Sequence, residues 1–165
     1  MSFHFEYAEK SDVDEILPSL FLLLYENMQP IAPFDKSFDD AFSEWAFEVS
    51  NALKKDPRRL ALMYCGCQLI GFCMYYVNNG VFMMEEIQIK KEFQGSGVFR
   101  LFYCWLIQRL PSDVLSVEAF THTENLRSQQ ILEHLGLLNC GDVQNGKFFH
   151  YKGNYSVLLD KYSLN

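Results

Sequence analysis

The segment Gln94-Gly95-Ser96-Gly97-Val98-Phe99 has the residue types of an anion site. Glycines let a chain turn tightly and bring its backbone close to a ligand. The apolar run Val98 to Leu110 that follows reads as a helix. The first amides of a helix have no internal acceptor and lie at the positive end of its dipole. A diphosphate fits that geometry with few basic side chains. A Gly-x-Gly before a helix is equally the mark of a plain tight turn. Two other phosphate loops are excluded. A P-loop needs Gly-Lys-Ser/Thr, and no Lys follows these glycines. A dinucleotide fold places its glycines in an early strand–helix–strand unit, whereas this loop comes after an antiparallel meander.

Groups able to move a proton lie on either side of this loop. In the strand before it, alternate positions share a face, which reads Val81, Met83, Glu85, Ile87, Ile89. Glu85 is the one carboxylate there. Desolvated by apolar neighbours, it suits a general base for an ammonium group. A bulge would reverse the parity and turn Glu86 inward instead. His122, in Thr121-His122-Thr123 at a strand end, has proton-shuttle chemistry, although most loop histidines are simply exposed. Tyr64, Tyr75, Tyr76 and Tyr151 could line an acceptor pocket or donate a proton, or pack with the hydroxyl at the rim. His134 reads as a helix-end residue favoured by the dipole, and His4 and His150 show no constellation. Neither a Ser-His-Asp nor a Cys-His arrangement follows from spacing. The five cysteines, Cys65, Cys67, Cys73, Cys104 and Cys140, lie in apolar runs without zinc spacing, so no metal is expected.

The elements that must position these groups are punctuated clearly. Phe3 to Ala8 reads as a strand. A helix opens at Ser11-Asp12-Val13-Asp14, with a side-chain cap and acids in its first turn, and runs to about Met28 with a kink or break at Pro18. Pro30-Ile31-Ala32-Pro33 ends it. A second helix runs from Ser37 to about Lys55 and stops at Asp56-Pro57. Strands follow at Leu60 to Cys65, Gln68 to Val77 and Val81 to Lys90, the last two joined by the hairpin signal Asn78-Asn79-Gly80. After the helix Val98 to Leu110 come a strand, Val114 to Phe120, and a helix from Glu124 to Leu135, stopped by Gly136. Lys147 to Lys152 and Tyr155 to Lys161 read as a terminal strand pair. Hairpins make the middle strands antiparallel, and the crossover through Val98–Leu110 demands one parallel pair. The expected fold is α/β (α+β): a mixed, mostly antiparallel sheet of about seven strands flanked by about four helices, forming a single domain over 1–165.

This order, the loop Gln94-Gly95-Ser96-Gly97-Val98-Phe99, and the pair Asn125-Leu126-Arg127-Ser128 with His134-Leu135-Gly136-Leu137 resemble the GNAT superfamily of N-acetyltransferases. Its signature, Gln/Arg-x-x-Gly-x-Gly/Ala, lies at a strand-to-helix junction like this one. The resemblance implies acetyl transfer from acetyl-coenzyme A to a primary amine of a small molecule or peptide, in one ternary complex. The amides of Gln94, Gly95, Ser96, Gly97, Val98 and Phe99 would cradle the coenzyme pyrophosphate. The main chain of Ile87, Gln88 and Ile89 would pair with the pantetheine arm and hold the thioester carbonyl. Asn125 and Ser128 would contact the coenzyme, and an acid at the position of Glu85 would serve as base. Two residues depart from the family pattern. Phe99 stands where Gly or Ala is preferred, so its ring must turn away from the phosphates or displace them. Leu132 stands where many members carry the Tyr that protonates the leaving thiolate, which leaves Tyr151, His134 or solvent for that step. Both departures also suit a second reading, an acyl-CoA-binding regulatory module of weak or no activity.

Composition bounds the rest. The chain has 165 residues, 49% of them hydrophobic, enough for a full core with one deep apolar slot. Its net charge of −7 and scattered basic pairs, Lys54-Lys55, Arg58-Arg59 and Lys90-Lys91, argue against nucleic acid and favour a cationic acceptor. The N-terminus lacks a signal-peptide pattern, no run is long enough to span a membrane, and the cysteine usage implies the cytoplasm. Exposed edges on the C-terminal strands make a homodimer an expectation.

Overall fold

The computed structural model describes residues 2–55 and 57–163. In chain order they form β1 (Phe3–Tyr7), α1 (Val13–Met28), α2 (Phe38–Leu53), β2 (Arg59–Cys65), β3 (Gln68–Asn78), β4 (Val81–Ile89), a 3-10 turn (Lys91–Phe93), α3 (Val98–Ile107), β5 (Ser116–His122), α4 (Leu126–His134), β6 (Leu138–Val143), β7 (Phe148–Asn154) and α5 (Tyr155–Tyr162). The strands make one seven-stranded sheet in the order β1-β2-β3-β4-β5-β7-β6. β4 and β5 are the parallel pair, as the α3 crossover requires. Asn79 and Gly80, at φ 50° and 75°, form the turn between β3 and β4, with the double positive φ of a type I′ hairpin. Asp56, part of the expected stop after α2, lies outside the described residues.

Two compact units divide the chain. One takes in the residues up to Met74 and Glu86–Ser96, the other Tyr75–Glu85 and the residues from Gly97 onward. In the first, α1 and α2 pack on β2 and β3 around Leu17, Leu20, Phe21, Leu62 and Phe72. Phe21 is the hub, with ring centroids 5.2 to 5.8 Å from Phe34, Phe38, Phe42 and Trp45. Ser37 caps α2, accepting from the Asp40 amide at 3.2 Å. Asp12 sits at the start of α1 but makes no side-chain cap, since its carboxylate accepts from the Ser11 hydroxyl. Pro18 does not break α1. It lies on the exposed side, where water can satisfy the carbonyl left without a donor.

In the second unit Phe82, Phe102, Tyr103, Leu106, Val117, Leu135, Tyr151 and Leu158 form the core. The register of β4 with β5 runs from Val81–Ser116 to Met84–Ala119, while β5 stays paired with β7 as far as His122–Phe148. Two expectations are corrected here. Tyr155 to Lys161 is the helix α5, not a strand: Asn154 caps it through the Ser156 amide, and Tyr155, Leu158 and Tyr162 are buried at helical spacing. The last strand pair is instead β6 with β7. β6, Leu-Asn-Cys-Gly-Asp-Val, is almost wholly exposed and shows no alternation to read. Among the described residues no helix is long and apolar enough to cross a membrane.

Candidate functional site

The end of β4 is held by side-chain amides. The Nδ2 of Asn27, on α1, donates to Gln88 Oε1 at 2.9 Å and to the Ile89 carbonyl at 3.0 Å. Gln88, buried, passes its own Nε2 to Glu86 Oε1 at 2.7 Å. From the other side Gln94 Nε2 donates to the same Ile89 carbonyl at 2.8 Å. Gly71 permits this closeness, because a Cβ there would stand 2.6 Å from the Gln88 carbonyl oxygen. The Ile89 carbonyl and the Gln88 side chain are thus held from both sides. Sequence reasoning missed Asn27. Its only signal is a carboxamide at the end of an apolar helical run, Leu-Leu-Leu-Tyr-Glu-Asn-Met.

Downstream, the loop folds as a tight turn and also leaves amides open. The Gln94 N–H donates to the Lys91 carbonyl and the Ser96 N–H to the Phe93 carbonyl, so these two of the six expected donors close the turn itself. Gly95 and Gly97 adopt φ 84° and 89°, the left-handed region, and a Cβ on either would meet nothing within 4 Å. Gly97 is the N-cap of α3 and provides no side-chain cap. The Phe99 ring lies back along the helix against Tyr103, one turn on, with centroids 4.6 Å apart. Tyr103 is itself fully buried, its hydroxyl donating to Met84 Sδ at 2.9 Å.

In the second unit a cleft of about 220 Å³ is lined by Tyr76, Met83, Met84, Glu85 and Phe120. Met83, Met84 and Glu85 all border it, and along β4 it is the even positions Phe82, Met84 and Gln88 that are buried. The face carrying Glu85 is only half-buried, a correction to the apolar, desolvated face expected for it. Phe120 is 45% exposed and stacks on His150 at 4.7 Å, its direct partner across β5 and β7. Neither Phe120 nor His150 was singled out by spacing, because only the β5–β7 register brings them together. Two residues before Phe120, Glu118 binds His150 Nε2 at 2.9 Å and Lys152 Nζ at 3.1 Å. Burial pushes the Glu118 carboxyl upward, but the Lys152 and His150 bonds outweigh it and hold the group below its usual range.

The remaining predicted residues occupy the segments around α4. His122 ends β5, and its Nδ1 accepts from the Glu124 N–H at 3.1 Å. Asn125 caps α4 through the Ser128 amide at 3.0 Å. Tyr151 is wholly buried and donates to Glu133 Oε1 at 3.2 Å, directly after Leu132 in sequence. Burial first, and then the Glu133 carboxylate, raise the Tyr151 phenol and keep it protonated. Among the described residues no group of three His, Cys, Asp or Glu could hold a metal ion.

As a sequence the chain matches no protein-family model and no curated protein. As a fold it has many counterparts. PaiA N-acetyltransferase from Thermoplasma acidophilum, in complex with coenzyme A, superposes with a TM-score of 0.74 at 13% identity, covering 94% of this chain and 100% of that one. A Desulfovibrio desulfuricans protein assigned to the GNAT family of acetyltransferases gives 0.69 at 14% identity, with 93% and 99% covered. Spermidine N-acetyltransferase from Vibrio cholerae, with coenzyme A and spermine, gives 0.62 at 17% identity, with 95% and 98% covered. The seven-stranded mixed sheet with its five helices is the GNAT acyltransferase fold.

Proposed function

We propose that this chain, acting as a single domain, transfers an acetyl group from acetyl-coenzyme A to a primary amine of a small molecule or peptide. The observation that carries the proposal is the start of α3. Two left-handed glycines precede it, no side chain caps it, and the one bulky residue at its first turn, Phe99, is turned back onto Tyr103. Such an end favours a diphosphate. The amides of Gly95, Gly97, Val98 and Phe99 hold that group, while those of Gln94 and Ser96 keep the turn in shape. The main chain of Ile87–Ile89, braced by Asn27 and Gln94, pairs with the pantetheine arm and fixes the thioester carbonyl. Asn125 and Ser128 approach the coenzyme from the start of α4.

The thioester supplies an acyl carbon open to attack by a neutral amine. Glu85, on the cleft wall, takes the proton of the entering ammonium through water. The departing sulfur takes its proton from solvent in place of the missing hydroxyl at Leu132, because the Tyr151 phenol is wholly buried and donates to Glu133, and His122 exchanges protons with solvent. Holding both substrates together supplies much of the rate. The acidic surface draws in the cationic acceptor, and the exposed thiols of Cys67 and Cys140 suit the cytoplasm. The outer edge of β6, interrupted by a bulge between Asn139 and Asp142, supports a weak homodimer, to be seen as a concentration-dependent mass by light scattering.

The test is turnover. Purified protein with acetyl-coenzyme A and a panel of amines and lysine peptides releases free thiol above the hydrolysis background. Leu132 favours the second reading, an acyl-CoA-binding module. Coenzyme binding by calorimetry with no thiol release for any amine would establish that reading instead.

A further inference from the structure

Phe120 is 45% exposed and borders the cleft of about 220 Å³ in the second unit. We propose that His150 is a positioning residue for the amine acceptor, holding the Phe120 ring in one orientation at the wall of that cleft; the inference rests on the acetyl-transfer reading. Phe120 lies on the less buried face of β5, whose opposite face buries Val117, Ala119 and Thr121. A half-exposed ring on a sheet face can adopt more than one staggered rotamer. Here the His150 imidazole lies against it, with centroids 4.7 Å apart and planes 14° from parallel. The register puts the two residues directly opposite one another on β5 and β7.

The imidazole is itself tied down. Its Nε2 lies 2.9 Å from Glu118 Oε2, and the other oxygen of Glu118 takes Lys152 Nζ at 3.1 Å. Glu118 and Lys152 are again direct register partners. The series Lys152, Glu118, His150, Phe120 therefore runs across two strands and ends on the cleft. None of these four residues is among the buried ones. Partly exposed ion pairs add little to stability, and holding long side chains in one geometry costs rotamer entropy. What the arrangement provides lies at the cleft. A ring already held in one orientation loses less entropy when an acceptor packs on it.

The experiment measures thiol release with 2-phenylethylamine, spermidine and a lysine peptide, and follows KM and kcat for whichever is used best. His150→Ala should raise that KM about three- to tenfold, the range of one aromatic pair, with a smaller change in kcat and coenzyme affinity unchanged by calorimetry. His150→Gln, which can still donate to Glu118 but has no ring, should behave like His150→Ala. His150→Phe, which keeps a ring and drops the Glu118 bond, should bring KM back to within about twofold of the native value. In a Phe120→Leu background His150→Ala should add less than about twofold, since the ring it positions is gone. A KM that His150→Ala leaves unchanged, a fall in kcat in its place, or no rescue by His150→Phe would overturn the inference and leave acetyl transfer standing. No thiol release by the native chain with any of the amines would remove acetyl transfer, and this inference with it.

Discussion

Glu85 and Glu118 stand near one another in register and do different work. Glu85 borders the cleft, and Glu118 is tied to two basic side chains. Glu85→Gln keeps the shape and removes the proposed base. It should lower kcat/KM about a hundredfold or more, with coenzyme affinity by calorimetry unchanged. Glu118 makes a pH prediction. Its carboxyl is lowered in the folded chain from the ordinary 4.5, so the stability it contributes is present above that value and lost as pH falls through its lowered range. The melting temperature of the native chain should therefore drop more between about pH 5 and pH 3 than that of Glu118→Gln. At this scale strand alternation put Glu85 on one face with Met83, and both border the cleft. Phe120, His150 and Asn27 were not legible. Their roles come from contacts across strands or between distant segments, which no local spacing encodes.

At the scale of elements, the strand–loop–helix junction from β4 to α3 is the part most fully written in the chain. Its glycines, its apolar helix and the hairpin before it each follow from local rules. Gly97→Ala tests the junction. Left-handed backbone costs an L-residue roughly 1–2 kcal/mol, and the open space around the position means that no clash adds to this. Modest loss of stability in urea is expected, with a larger loss of coenzyme affinity as the α3 amides shift. Where local rules failed, the cause is physical. The residues of α5 alternate well enough to pass for a strand over Tyr155–Leu159, and only burial at Tyr155, Leu158 and Tyr162 shows the helical period. β6 takes its form from pairing with β7 and has no apolar face of its own.

For the whole molecule, net charge sets opposite conditions for the two proposed substrates. A protein at −7 repels a polyanionic coenzyme and attracts an ammonium. Raising salt shortens the Debye length from about 30 Å at 0.01 M to about 10 Å at 0.1 M. Coenzyme association should quicken over that range and amine association slow, as stopped-flow traces for each would show. The fold class was readable at this scale from element order and one obligatory parallel pair, and the charge sign from composition alone.

The carboxamide of Asn27 joins the last turn of α1 to two successive residues of β4. Whatever stiffens Gln88 and Ile89 therefore also stiffens the last turn of α1. Deuterium uptake should slow at the amides of Asn27, Met28 and Gln29 when coenzyme A is added, and Asn27→Ala should abolish that distant footprint while the slowing at Gln88 persists.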